Sequence, residues 1–233
     1  MGWLREKYTR AYFLHEDEQG NRVPYGADGV EDWAKGRIYR RAQRLLDRLD
    51  FDGATVLDIG FGRGEAIRYA LQHGASRVVG VDFAQAAVDI ARETLREFSA
   101  DRYELICADV LDYLNSTRGE SAFRHVLMLD SIEHIPRREV EQMLPLLAQR
   151  IERGGALVVC TPFYEKDDDV LAAGGRSSTK DASDEIEETR GMHINRYTEK
   201  SLRQQVCRHG FVRWLRRIFL KPLPGLPVWF YRG

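Results

Sequence analysis

Val56-Leu57-Asp58-Ile59-Gly60-Phe61-Gly62-Arg63-Gly64-Glu65 sets the fold of this chain. It begins as an apolar strand with an acid near its end, then passes through glycines at alternate positions into a helical segment. Glycine suits that passage because the chain must turn sharply from strand to helix, and because a side chain would hold a ligand away from the backbone amides. The spacing is G-x-G-x-G followed by Glu65, not the G-x-G-x-x-G of a dinucleotide site. A pyrophosphate needs a bare helix N-terminus, and carboxylates at Asp58 and Glu65 would repel it. The pattern predicts a nucleotide-like ligand that carries positive charge and no phosphate.

Two further strands end in acids. Val78-Val79-Gly80-Val81-Asp82-Phe83 reads as a buried parallel strand, with Asp82 placed to accept from two ribose hydroxyls and Phe83 offering a flat apolar surface to adenine. Tyr103-Glu104-Leu105-Ile106-Cys107-Ala108-Asp109 is a third, whose Asp109 could accept from the adenine amino group beside Val110. Taken singly, Asp82 reads as a helix cap and Asp109 as a turn residue. Together at successive strand ends they mark a ligand site, because ligands of open parallel sheets bind at those carboxyl ends. From residue 50 to 160 the chain resembles the class I S-adenosylmethionine-dependent methyltransferases. The motifs are Val56 to Gly64, Val79 to Phe83 and Cys107 to Val110, with weaker matches at Val126 to His134 and Gly154 to Val159. The resemblance implies S-adenosylmethionine as cofactor, a ligand with a sulfonium, an ammonium and no phosphate. It is expected to lie against Asp58, Gly60, Gly62, Gly64, Asp82, Phe83, Asp109, Val110 and Asp130.

Hydrophobic periods give the organisation. Val30, Trp33, Ile38, Leu45, Leu46 and Leu49 carry helical spacing and predict a covering helix over 29–49. Then strands at 54–59, 77–82, 103–107, 123–129 and 155–161 alternate with helices at 64–73, 85–98 and 137–151. Right-handed crossovers make this a parallel sheet with helices on both faces. A helix at 198–209 leads to two strands, Phe211 to Phe219 and Val228 to Tyr231, joined by a proline-rich turn short enough to demand antiparallel pairing. The predicted fold is therefore α/β and Rossmann-like: a mostly parallel seven-stranded sheet ending in an antiparallel hairpin. One domain covers 1–233: an arm and covering helix to 50, a cofactor-binding core at 51–161, a lid-like insertion at 163–197, and a C-terminal helix and hairpin at 198–233.

Composition narrows the function classes. With 43% hydrophobic residues, 233 residues suffice for one domain with a full core. Lys and Arg number 35 against 36 Asp and Glu, so no global field draws nucleic acid or an acidic membrane. The best basic cluster, Arg213, Arg216, Arg217 and Lys221, reads as one solvated strand edge. Cys107, Cys160 and Cys207 are widely spaced and indicate neither a disulfide framework nor a zinc cluster. A reduced, cytoplasmic setting is expected, with no leader or membrane span.

The acceptor side rests on fewer signals. Methyl transfer from a sulfonium is an in-line displacement to which protein contributes alignment and desolvation, with a base needed where the acceptor is a hydroxyl. Asp130-Ser131-Ile132-Glu133-His134 follows the fourth strand, making His134 the first candidate base, with His193 the second. Asp130, Glu133, His134 and His193 could be combined into a metal site, but the run lacks a second adjacent histidine, so no metal is expected. The aromatic arm 1–28, with Trp3, Tyr8, Tyr12, Phe13 and Tyr25, reads either as a segment stapled to the core by its rings or as a lid whose tyrosines contact cofactor or acceptor, and the polar segment Glu165 to Arg190 as a solvated insertion whose ends close over the acceptor; that segment, with residues 1–20, is expected to be mobile without ligands. Tyr12, Tyr25, Glu133 and Tyr197 are the candidate acceptor contacts. These features predict transfer to O or N of a small molecule; the alternatives are a nucleic-acid or protein methyltransferase and a non-catalytic cofactor-binding protein.

Overall fold

A computed structural model describes residues 6–14, 40–117, 122–164, 166–169, 193–213 and 228–231. Tyr25, most of the covering helix expected at 29–49, the middle of the 163–197 insertion and the run from Trp214 to Lys221 lie outside the described residues.

The central sheet is built from β1 (Thr55–Ile59), β2 (Arg77–Asp82), β3 (Tyr103–Cys107), β4 (Phe123–Leu129) and β5 (Ile151–Cys160), all paired in parallel. Beyond β5 the order continues through the antiparallel β9 (Val228–Tyr231) to β8 (Val212–Arg213), giving β3-β2-β1-β4-β5-β9-β8. The order reverses between β1 and β4. That is the switch point at which open α/β sheets form a crevice at their strand C-termini.

Strand side chains alternate between two cores. Val56, Val78, Leu127 and Val158 face one side, where α2 (Arg40–Leu46), α3 (Glu65–Gln72) and α4 (Gln85–Thr94) supply Leu45, Leu46, Ile67, Ala70, Val88 and Ile90. Leu57, Val79, Val126, Met128 and Leu157 face the other, against Leu114 of α5 (Val110–Ser116), Val140 to Leu147 of α6 (Arg137–Arg150) and Leu202 and Val206 of α7 (Glu199–Cys207). Near-continuous apolar strands are what burial on both faces demands.

Two expectations need correction. Helix α5 follows β3 directly, where the periodic reading placed only a connection. Val110-Leu111-Asp112-Tyr113-Leu114-Asn115-Ser116 is two turns long and buries only Tyr113 and Leu114, too short for apolar periodicity to register. The fifth strand starts at Ile151 rather than at 155, running straight out of α6 with a register shift opposite Phe123 and His125. Gly154 and Gly155 obscure it, because glycine reads as loop. A Cβ at Gly155 would lie 2.5 Å from the Arg124 carbonyl oxygen, so close strand approach is what requires the residue.

The insertion has an ordered stem. The short strands β6 (Asp168–Asp169) and β7 (Asn195–Arg196) pair antiparallel, and Asp167 accepts from the Thr198 amide at 2.8 Å where Thr198 and Ser201 cap α7. Residues 170–192 lie outside the described residues.

Candidate active site

The glycine loop is held by the acid of the next strand. Gly60 donates its amide to the Val81 carbonyl at 2.8 Å, and Gly62 donates to one Asp82 oxygen at 3.0 Å while Ala84 donates to the other at 2.9 Å. Gly60 has φ +70°, and a Cβ there would meet Ser131 Cβ at 2.6 Å, so the loop can pass β4's exit only as glycine. Gly64 has another task. Its missing Cβ admits Ala91 of α4, a helix packing contact.

A cavity of about 220 Å³ opens at these strand ends. Gly60, Gly62, Asp82, Phe83, Asp109, Val110 and Asp130, all expected at the cofactor, line it. Asp58 and Gly64 do not: Asp58 is 2% exposed and stands behind the glycine loop. Asp109 also caps α5, accepting from Leu111 N at 2.9 Å. Asp130 has φ +50°, a sparsely populated backbone for a residue with a side chain, which aims it into the crevice as strained active-site residues are aimed.

An aromatic roof closes the cavity. The segment leading into α1 (Arg10–Leu14) carries Tyr8, Tyr12 and Phe13 over the glycine loop. Arg10 bridges to Glu93 through two contacts of 3.2 Å, and Arg63 donates to the Phe13 carbonyl at 3.4 Å. Tyr8 lies edge-on to Phe83 at 4.7 Å and to His134 at 5.8 Å, standing between the apolar end and the histidine. Its buried hydroxyl is held far above the usual phenol range, first by burial and then by Tyr12, Asp82 and Glu133. Tyr8 therefore stays neutral.

His134 lines the opposite wall, on the 3-10 turn Ile132–His134. His193, distant in sequence, reaches it because Asn195 donates to the Ile135 carbonyl and Tyr164 takes the Tyr197 carbonyl through its amide at 2.8 Å. The two imidazoles are 4.9 Å apart. Glu133 is fully buried beneath them, and neither Glu133 nor His193 is on the cavity wall. Tyr197 belongs to the core with Arg137 stacked on its ring at 4.9 Å, so it does not face an acceptor in this arrangement.

Comparison with known proteins accords with this geometry. Residues 56–155 match the family described as methyltransferase domain. An O-methyltransferase family protein from Burkholderia thailandensis superposes on all of this chain and 67% of its own, with a TM-score of 0.63 at 18% identity, which shows the shared fold. Residues 56–155 carry a methyltransferase domain, on a fold shared with solved S-adenosylmethionine-dependent methyltransferases. Its cofactor is S-adenosylmethionine. A ribosomal protein L11 methyltransferase from Shewanella halifaxensis is 27% identical over 54% of this chain and 40% of its own length. Phosphoethanolamine N-methyltransferase 2 from Caenorhabditis elegans is 29% identical over 46% of this chain and 23% of its own. The chain thus spans less than half of these curated relatives, and the acceptors in their names differ in kind.

The methyltransferase cavity fits a cation-bearing nucleoside. Asp82 combines burial with two amide donors, leaving acceptor capacity on both oxygens for hydroxyls, and Phe83 and Val110 form an apolar wall. Glu65 is not the bare anion that the sequence suggests. Arg63 Nε lies 2.6 Å from it, partly offsetting the burial that raises its pKa. Selection against a pyrophosphate falls instead to Asp82, the carboxyl on the cavity wall beside the glycine loop.

Burial pushes Asp82 up to about 6, with the Ala84 and Gly62 amides opposing. Burial, then the charges of Asp82 and Glu65, push Asp58 up to about 8. Each carboxyl contributes stability that is fully present below its unfolded value of 3.8 and lost as pH rises through the raised value. A cationic ligand favours the ionised forms, so binding releases protons and tightens with pH. Between about pH 5 and pH 8 the ligand-free protein is expected to lose thermal stability, less so in Asp58→Asn, while S-adenosylmethionine affinity rises. A Kd indifferent to pH, with a calorimetric enthalpy independent of buffer, would contradict the linkage.

Several wall residues escaped the sequence reading, namely Ser131, Pro136 and Glu139, as did the pairing of Glu65 with Arg63. The aromatic density of the arm signals Tyr8. Glu139, on the first turn of α6, carries no local signal at all.

Among the described residues no helix is long and apolar enough to cross a membrane, and all three cysteines are free.

Proposed function

We propose that this chain transfers the methyl group of S-adenosylmethionine to an oxygen or nitrogen of a small-molecule acceptor, acting as one domain in a reducing, cytoplasmic setting. The carrying observation is that one cavity joins the Asp82-anchored glycine loop to His134 under a roof of Tyr8, Tyr12 and Phe13. Bound there, the cofactor supplies a methyl already activated by its sulfonium. The protein's part is to orient it through Asp82, exclude water with the aromatic roof, and prepare the acceptor at the His134 wall. A roofed crevice suits a compact acceptor better than the surface of a folded protein.

Incubation with methyl-labelled S-adenosylmethionine, a metabolite extract and a cellular protein fraction tests the reading. Label is expected in the small-molecule fraction. Label confined to protein would transfer the assignment to the class of substrate named for the ribosomal protein L11 methyltransferases, and no transfer despite cofactor binding would leave a non-catalytic binder.

A further inference from the structure

The geometry points to a divalent-cation site formed by Glu133, His134 and His193 at the acceptor wall. One potential ligand atom from each of these residues lies within 4.8 Å of the other two, close enough for a single ion to meet all three. The arrangement is assembled by tertiary structure. Glu133 and His134 come from the turn after β4, whereas His193 arrives on the segment leading into β7, which the Asn195 contact with the Ile135 carbonyl docks onto that turn.

The supporting contacts are those a metal ligand requires. Tyr164 Oη lies 2.7 Å from His193 Nδ1; with Nδ1–H donating to that oxygen, Nε2 presents its lone pair. Metal-bound histidines are oriented by such a partner on the second ring nitrogen. Glu133 is wholly buried, which keeps a carboxylate ligand ordered and dry. Two imidazoles and one carboxylate select a first-row divalent ion such as Mn²⁺, Fe²⁺, Co²⁺ or Zn²⁺, since imidazole suits these better than it suits Mg²⁺ or Ca²⁺. Three protein ligands leave coordination positions open. Because His134 also lines the cavity, an acceptor oxygen there could take one of them, and the ion would lower the pKa of its hydroxyl before methylation. The hydroxyl proton leaves to solvent or buffer, the oxygen lone pair attacks the methyl carbon, and the carbon–sulfur bonding pair returns to sulfur. No oxidant or reductant enters.

This inference rests on the methyltransferase reading and replaces a metal-free base with a cation at the same wall. Co²⁺ titration of chelator-treated full-length protein, followed by visible absorption, tests it directly. One equivalent is expected to bind with a ligand-field spectrum of imidazole and oxygen donors. His193→Ala is expected to weaken binding by at least ~10- to 100-fold, and Tyr164→Phe to weaken it to a smaller degree. Parallel S-adenosylmethionine titrations separate the two claims. Wild-type protein that binds the cofactor but takes up no stoichiometric Co²⁺, or a His193→Ala variant with wild-type Co²⁺ affinity, overturns the metal site and leaves the methyltransferase reading intact. Protein that binds Co²⁺ but no cofactor overturns that reading instead.

Discussion

His134→Ala is expected to lower turnover by about 10²- to 10⁴-fold while S-adenosylmethionine binds with little change, the range spanned by groups that assist proton removal in a transition state. The reason is positional. His134 sits on the turn after β4, and Tyr8 stands between it and Phe83, so its loss strips the acceptor wall without touching the Asp82 amide contacts. Whether the imidazole takes the acceptor proton or holds a cation that lowers the acceptor's pKa, the interaction grows as the oxygen becomes nucleophilic. A loss in kcat with cofactor Kd unchanged is the signature of such a group. Steady-state kinetics over a pH series, with calorimetry on the same preparations, measures both. Normal turnover of His134→Ala at every pH would reduce His134 to a structural residue holding the turn.

Asp82→Ala should act on the other half of the reaction. The substitution removes the acceptors for Gly62 N and Ala84 N, stranding two donors at roughly 1–3 kcal/mol each, and removes the carboxylate proposed to take the ribose hydroxyls. Cofactor affinity is expected to fall at least about tenfold, since hydrogen bonds to a charged group contribute ~1.5–3 kcal/mol apiece. Asp82→Asn retains the shape and one carbonyl acceptor, so it should fold closer to wild type and still bind the cofactor weakly. Circular dichroism establishes that both variants fold, and calorimetry compares their affinities. An Asp82→Ala variant that is folded and binds S-adenosylmethionine as wild type does would remove Asp82 from the cofactor site.

The residues legible in the sequence were those fixed by local rules. Gly60 and Gly62 announce a strand-to-helix turn, and Asp82 and Asp109 close strands whose two-sided burial makes them near-continuous apolar runs. The parallel order follows from that alternation and from crossover handedness. What the sequence does not give is the geometry between residues far apart in the chain. His193 is a candidate by residue type, but that its ring meets His134 at 4.9 Å depends on β7 docking on the turn after β4. Asp58 shows a related limit: of the two residues before Gly60, Ile59 lines the cavity while Asp58, expected at the cofactor, does not, and strand alternation separates them. Glu65 was read as a naked charge because a contact between i and i+2 neighbours, Arg63 and Glu65, depends on the loop geometry rather than on helical spacing. Tyr197 reads as a candidate acceptor contact in sequence, but it is buried in the core beside Arg137.

The central claim is that the cavity over Gly60, Gly62 and Asp82 is built for a cationic nucleoside and not for a dinucleotide. Isothermal titration of the full-length protein with S-adenosylmethionine, repeated in the presence of excess NAD, tests it most directly. The account predicts saturable one-to-one binding that NAD leaves unchanged. A protein that gives no heat with S-adenosylmethionine, or that releases it on addition of NAD, would contradict the account.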